Sequence, residues 1–206
     1  MGRIGWLRAV ALAAALTWIG AAAAHANRLE ISNWERGIRL KWTSIQFNVA
    51  GRTVDCEVIL NGDFLARTFP KTPGMAYARF TEATTINLCS GGEATVLRGT
   101  LPWELRYASY TGTLPRISSV NFQIVGMSVL IQPTMGPSCL VRTSAANPAL
   151  LIANVEPEEP TFQNVRLNET ALIPATGLMC GGTATFGGTG IITSRAEVAS
   201  VIVRLI

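Results

Sequence analysis

Between Ile38 and Val49 the chain reads IRLKWTSIQFNV, and over much of that length apolar and polar side chains alternate. A period of two puts one set of side chains on one face, so the segment predicts a half-buried β-strand. The same habit recurs at 54–60 (VDCEVIL), 93–99 (EATVLRG), 119–132 (SVNFQIVGMSVLIQ) and 198–206 (VASVIVRLI), while helical spacing is hard to find. Turn chemistry separates these runs: Asn61-Gly62-Asp63, Lys71-Thr72-Pro73-Gly74, Ser90-Gly91-Gly92, Met135-Gly136-Pro137 and Gly181-Gly182. Such residues tolerate positive φ or preset a turn. The pattern predicts an all-β, antiparallel β-sandwich. The final run, with Val198, Val201, Val203 and Leu205, is expected to pair within a sheet, because an unpaired apolar strand invites aggregation. Residues 147–160 (NPALLIANVEPEEP) predict a short extended piece ending in an exposed Pro-Glu-Glu-Pro loop, and 79–83 carry no assignment.

The N-terminus reads differently. Arg3 and Arg8 form a positive start, Ala9 to Ala24 an apolar run, and Ala24-His25-Ala26 a small-x-small cleavage site, so residues 1–26 predict a secretory signal peptide and a mature chain from Asn27. An uncleaved anchor is the rival reading, and the run is short of the roughly 20 residues a spanning helix needs. No later stretch is long enough to span. The whole chain carries 17 basic and 13 acidic residues; losing Arg3 and Arg8 leaves 15 against 13. A nearly neutral mature protein without a Lys/Arg cluster gives no nucleic-acid signature.

Export changes what the four cysteines mean. In an oxidising compartment Cys56, Cys89, Cys139 and Cys180 are expected to pair as structural disulfides. Four cysteines allow three pairings, and an internal repeat favours one of them. Cys89-Ser-Gly-Gly-Glu-Ala-Thr-Val resembles Cys180-Gly-Gly-Thr-Ala-Thr-Phe with one residue dropped. Ser44-Ile45-Gln46-Phe47 precedes Cys56 much as Ser128-Val129-Leu130-Ile131 precedes Cys139. A duplicated unit, residues 27–113 and 114–206, predicts Cys56–Cys89 and Cys139–Cys180, as one compact unit or two small domains. No C-x-x-C brings two metal ligands together, so no metal or other cofactor is expected.

Chemistry is sparse. The single histidine, His25, falls at the cleavage site, leaving the mature chain without an imidazole for Ser-His-Asp or Cys-His catalysis. No G-x-S-x-G, P-loop or dinucleotide fingerprint occurs, and Gly187-Gly188-Thr189-Gly190 lies between apparent strands, where a hairpin or bulge is expected. A paired-carboxylate glycoside hydrolase needs no histidine; its candidates are Glu104, beside Trp103 and Tyr107, and Glu156, Glu158 and Glu159. Trp103, Tyr107 and Tyr110 form the best sugar- or peptide-binding cluster, since aromatic faces bury area while keeping polar edges. The competing reading packs Trp103 and Tyr107 at the crossing between the halves, with Trp34 and Trp42 in core or interface. Asn168-Glu169-Thr170 matches an N-glycosylation acceptor.

Leu101-Pro102-Trp103, Arg106-Tyr107 and Gly112-Thr113-Leu114-Pro115, followed by Ile117 to Val120, form a block by which the chain resembles a group of uncharacterised exported proteins of high-GC actinobacteria. Those proteins share an LPW…RY…GTLP block, flanking cysteines and a final short apolar strand. The resemblance spans most of the mature chain; it implies secretion and a small β fold, and carries no activity or site.

The reading is therefore a disulfide-stapled, non-enzymatic, secreted or envelope-associated sandwich that binds or builds structure, its partner a glycan, an envelope polymer or a second copy. The alternatives are a carbohydrate-binding module and a paired-carboxylate glycosidase. Intact-mass measurement of the exported protein should give a chain starting at Asn27 with all four sulfurs oxidised; residues 1–26 still attached, or free thiols, would reject this reading.

Overall fold

The structure, a computed structural model, describes residues 28–31, 36–113, 116–156, 158, 161–196 and 200–205. The expected leader, Trp34, Leu114, Pro115 and Glu159 lie outside the described residues. The alternating run at 38–49 forms a strand over Gly37–Val49, with Ile38, Leu40, Trp42, Ile45, Phe47 and Val49 buried. The phase slips once, between Trp42 and Ile45, where a bulge shifts the register with the next strand.

Among the described residues the strands are β1 (Arg28–Ile31), β2 (Gly37–Val49), β3 (Arg52–Phe64), β4 (Thr68–Pro70), β5 (Ala76–Ser90), β6 (Gly92–Val96), β7 (Trp103–Thr113), β8 (Arg116–Val125), β9 (Ser128–Pro133), β10 (Cys139–Arg142), β11 (Ala149–Val155), β12 (Phe162–Leu167), β13 (Ile173–Thr176), β14 (Thr183–Ser194) and β15 (Val203–Leu205). Every pairing is antiparallel. A large sheet runs β12-β11-β8-β7-β5-β3-β2-β14-β13-β10-β9-β6, and a small one runs β15-β1-β4. One further pairing changes the shape. β12 also bonds β14, through Val165↔Gly190, Arg166↔Thr189 and Leu167↔Gly188, so β2, β3, β5, β7, β8, β11, β12 and β14 form a closed circuit. The expected sandwich thus takes the form of a sheet packed upon itself and joined all the way round. The core is one continuous cluster drawn from both sides of residue 113. Charged and polar side chains such as Lys41, Gln46, Arg79, Gln123, Asn154 and Arg166 point outward, the reverse of a lipid-facing barrel wall. No helix among the described residues is long and apolar enough to cross a membrane.

β14 carries the closure because its two edges serve different partners. One edge pairs β2, with Phe186↔Phe47 and Ile192↔Leu40; the other meets β13 at Ala184 and β12 at 188–190. The Gly187–Gly190 run is the expected bulge, set inside this strand. Its glycines make room: a Cβ on Gly190 would stand 2.5 Å from Lys41 O and 2.7 Å from Trp42 Cδ1, so the indole fills the space where a side chain would go. Rings from β2 and β14 meet edge to face across the pair, with Phe47 and Phe186 centroids 5.0 Å apart.

Inside and beyond the circuit, strands from before and after residue 113 pair with one another. β6, from residues before 113, pairs β9, from residues after it; β14, from the later residues, pairs β2. Both disulfides lie near these exchanges: Cys56 on β3 bonds Cys89 on β5, and Cys139 on β10 bonds Cys180 just after β13. This is the pairing that the repeat favours, and no free cysteine occurs among the described residues.

Some local expectations change. Asn61-Gly62-Asp63 is not a turn but lies within β3, where the register with β5 shifts and the strands approach so closely that a Cβ on Gly62 would collide with Arg79 O. The run 119–132 is two strands, β8 and β9, broken at Gly126, where φ is 86°. Residues 79–83 belong to β5, and 147–160 hold the seven-residue β11, paired on both edges. The described end of the C-terminal run is paired as expected, β15 against β1, while Val198 lies outside the described residues.

The bridges span 33 and 41 residues, and chain entropy assigns each about 4 kcal/mol of stability. Cys56→Ser with Cys89→Ser, or Cys139→Ser with Cys180→Ser, should each lower the melting temperature by roughly 10 °C. Gly190→Ala should cost about 1 to 3 kcal/mol in denaturant unfolding, because its methyl competes with the Trp42 indole; an unchanged midpoint would contradict the packing described.

Candidate functional site

β7 sets the aromatic cluster. Trp103, Leu105 and Tyr107 alternate inward, and a bulge between Tyr107 and Ser109 shifts the phase, so Tyr110 opposite Val120 shares the face of Tyr107 opposite Phe122. Trp103 and Tyr107 are buried, at 1% and 3% exposure, and only Tyr110 is partly open. The three rings therefore do not make a solvent-open patch. Trp103 Nε1 donates to Thr100 Oγ1 at 3.0 Å, satisfying the indole internally.

Tyr107 belongs instead to a column of rings. Phe69 of β4 stacks on Tyr77 of β5 with centroids 4.2 Å apart, and Tyr77 stacks on Tyr107 at 5.4 Å. Tyr77 meets Phe122 edge to face, and Phe122 meets Phe162 in the same way. The column joins the small sheet to the circuit. The Tyr77 hydroxyl donates to Pro70 O at 3.0 Å. At its end the Lys71 ammonium lies 5.1 Å from the Tyr110 ring centroid, a cation-π contact. Desolvation lowers the Lys71 pKa from its ordinary value. Burial raises the Tyr77 pKa well above its ordinary value, with Tyr107 adding to the rise; burial and then Tyr110 raise that of Tyr107.

The candidate glycosidase acid is held by cations. Glu104 Oε2 accepts from Arg106 Nε at 2.9 Å and Nη2 at 2.7 Å, and Oε1 lies 3.5 Å from Arg79 Nη2. Two guanidiniums occupy both oxygens. A glycosidase acid instead needs a second carboxylate across a substrate-sized gap. Glu156 follows β11 directly and Glu158 lies exposed beyond it. Among the described residues no group of three His, Cys, Asp or Glu side chains could hold a metal ion. Asn168 Oδ1 accepts from Thr170 N at 3.1 Å and Thr170 Oγ1 at 2.9 Å, folding the glycosylation-type triplet into a local turn.

A concave feature lies elsewhere, on the outer face of β2, β14 and β12. It encloses about 440 Å³ and is lined by Arg39, Lys41 and Thr43 of β2, Asn164 of β12, and Thr189, Gly190, Ile191 and Thr193 of β14. The β14 bulge builds it. Where Gly187–Ile191 turns from β2 toward β12, the outward side chains of the two strands spread apart over a floor formed by Gly190 backbone above the Trp42 indole. Lys41 Nζ sits 3.2 Å from Glu57 Oε1. Asn164 Oδ1 accepts from Asn154 Nδ2, leaving its own amide hydrogens for other acceptors. Ile191, half exposed, adds an apolar wall. The set offers cationic donors, hydroxyls and one apolar surface, the chemistry that holds a hydroxylated anion. A second cavity, inside the circuit, is apolar and only about 20 Å³, lined by Trp42, Phe47, Trp103 and Phe186 among others. It has room for about one water and none for a ligand.

The groove carries no short sequence signature. Its residues come from 39–43, 164 and 189–193, and only strand register brings them together. Its one visible trace is Gly187–Gly190.

Because the folded state holds the Tyr77 and Tyr107 protons above their ordinary range, the unfolded chain loses protons first as pH rises. Their contribution to stability is full below about pH 10 and falls as pH climbs through the raised native values. Tyr77→Phe should flatten that alkaline loss in melting experiments, and ultraviolet titration should show a late-ionising phenol missing from the variant. Comparisons of this chain with protein-family models, with curated proteins and with solved structures find no match.

Proposed function

We propose that the protein is an exported, non-enzymatic β-sandwich of the extracellular space or cell envelope that works by binding an acidic glycan or envelope polymer in the groove of β2, β12 and β14. The groove carries the proposal: about 440 Å³ of concave surface with Arg39 and Lys41 beside the hydroxyls of Thr43, Thr189 and Thr193. Export is supported by the leader pattern at 1–26, by the two disulfides, and by the resemblance to exported actinobacterial proteins. Trp103 and Tyr107 are packing residues in this reading, and Tyr110 lends a ring to Lys71 rather than to a ligand. A paired-carboxylate hydrolase has less support, since the oxygens of Glu104 already meet two arginines.

The architecture is also read as a duplication. Mapping β2, β3, β5 and β6 onto β9, β10, β13 and β14 turns the order β5-β3-β2-β14 into β13-β10-β9-β6, which is the order in the sheet. Each unit lends its last strand to the other, and each carries one bridge between its second and third strands or the turn that follows.

The test is calorimetric binding of the oxidised protein to a uronic-acid polymer and to a neutral glucan. The acidic polymer should bind more tightly, with affinity falling as salt rises, and Arg39→Ala with Lys41→Ala should weaken it by at least about tenfold. Equal binding of both polymers, or none of either, would sink the proposal.

A further inference from the structure

Among the described residues the three most exposed large apolar side chains are Leu178 at 86%, Met179 at 80% and Met135 at 73%. They lie on two loops, 134–138 between β9 and β10 and 177–182 between β13 and β14, that are bound together. Cys139–Cys180 joins them, with Cα atoms 5.7 Å apart, and a Cβ on Gly177 would stand 2.7 Å from Ser138 O. Internal hydrogen bonds hold the second loop, Cys180 N donating to Gly177 O and Ala175 N to Gly182 O. Met179 has φ of 66°, a left-handed conformation uncommon outside glycine, and it presents its side chain to solvent there. The loops read TMGPS and GLMCGG, so neither carries a charge. Beside them stands one exposed cation, Arg52, whose Cγ lies 3.8 Å from a Cβ built on Gly136.

We propose that this pinned, uncharged apolar tip is a membrane-contact site that inserts into the interface of a phospholipid bilayer. Three side chains on two loop tips are far too few for a stable protein interface, which takes roughly 20 to 30 residues a side. A bilayer interface asks for less. Apolar side chains that penetrate about 5 to 10 Å, without buried charge, are enough for reversible attachment. Arg52 is placed to remain at headgroup level, its stem along the apolar surface. The bridge keeps the tip in its bound shape before contact, so little ordering entropy opposes insertion. The groove stays clear of the lipid: Lys41 lies eight residues along β2 from Val49, which pairs Ala184 just past the 177–182 loop, roughly 26 Å at strand rise.

The experiment is flotation of the oxidised full-length mature protein with phosphatidylcholine vesicles and with phosphatidylcholine–phosphatidylglycerol vesicles, at low and high salt. Both should bind the protein, with little loss at high salt, since apolar insertion dominates. Leu178→Ser and Met135→Ser should each reduce partitioning by at least about tenfold, the value of burying one such side chain. Met179→Gly should do the same while holding or raising the melting temperature, because glycine accepts the positive φ, which separates lost contact from lost folding. Arg39→Ala with Lys41→Ala should leave vesicle binding unchanged, so this proposal and the groove can fail separately. Absence of flotation, flotation indifferent to all three tip variants, or a dimer in sedimentation that those variants dissolve would each overturn it.

Discussion

Closure depends on β14 holding β2 with one edge and β12 with the other. An antiparallel sheet of this length would otherwise end in open strands, each presenting unpaired N–H and C=O groups. Bonding β12 to β14 removes the edge at that end, leaving β6 as the outer strand of the branch beyond β14, and forces the inward side chains of eight strands into one interior. That interior then demands shape matching. Trp42 can occupy it only because Gly190, facing it across the pair, has no side chain, and the same bulge that admits the indole spreads the outer face into a groove. Packing inside and concavity outside are two results of one register shift.

The reciprocal placement of β6 and β14 makes folding of the two halves interdependent. Neither half completes its sheet with its own strands, since β2 is flanked by a strand from beyond residue 113 and β9 by one from before it. A partial opening that frees β14 exposes Phe47 and Phe186 together and leaves β2 with an unpaired edge, so the two-half structure is expected to unfold as one cooperative unit. The disulfides limit how far such opening travels, because each bridge closes a segment inside one half and neither crosses between them.

The strands that were legible in the sequence are those with one face in water. β2 and β3 alternate over much of their length because outward residues such as Lys41 and Glu57 are charged, although β2 slips phase at its bulge and β3 buries Val58, Ile59 and Leu60 in succession. β11 was obscure because ALLIANV puts Leu150 and Ile152 on its less buried face, so apolar residues follow one another without a break. Gly62 misled for a physical reason: glycine marks turns and close backbone approaches alike, and here β3 and β5 touch. The cysteine pairing was readable because the likeness of the segments at Cys89 and Cys180, and of those before Cys56 and Cys139, favours it. The aromatic cluster was readable as a cluster but not as a site, since Trp103 and Tyr107 are spaced four apart on a strand and share an inward face whatever surrounds them. Whether such a face meets solvent or a second layer depends on β4 and β8, which sequence spacing does not reveal. The groove was invisible for the same reason, its donors lying more than a hundred residues apart.

Groove and tip also differ in how their geometry is secured, and this bears on their use. Groove donors stand on paired strands, so hydrogen-bond register holds their backbones, and a ligand meets donors already in place. The tip stands on loops, which strand pairing does not reach; its order comes from a disulfide and a few turn hydrogen bonds. Reduction would therefore act unequally. Losing Cys139–Cys180 frees the 177–182 loop, letting Met179 leave its positive φ, while the β2–β14 ladder beneath Arg39 and Lys41 keeps every bond it had. Within this reading, oxidation state governs attachment to lipid and leaves polymer binding nearly untouched, so a protein that leaves an oxidising compartment would lose its anchorage before its ligand.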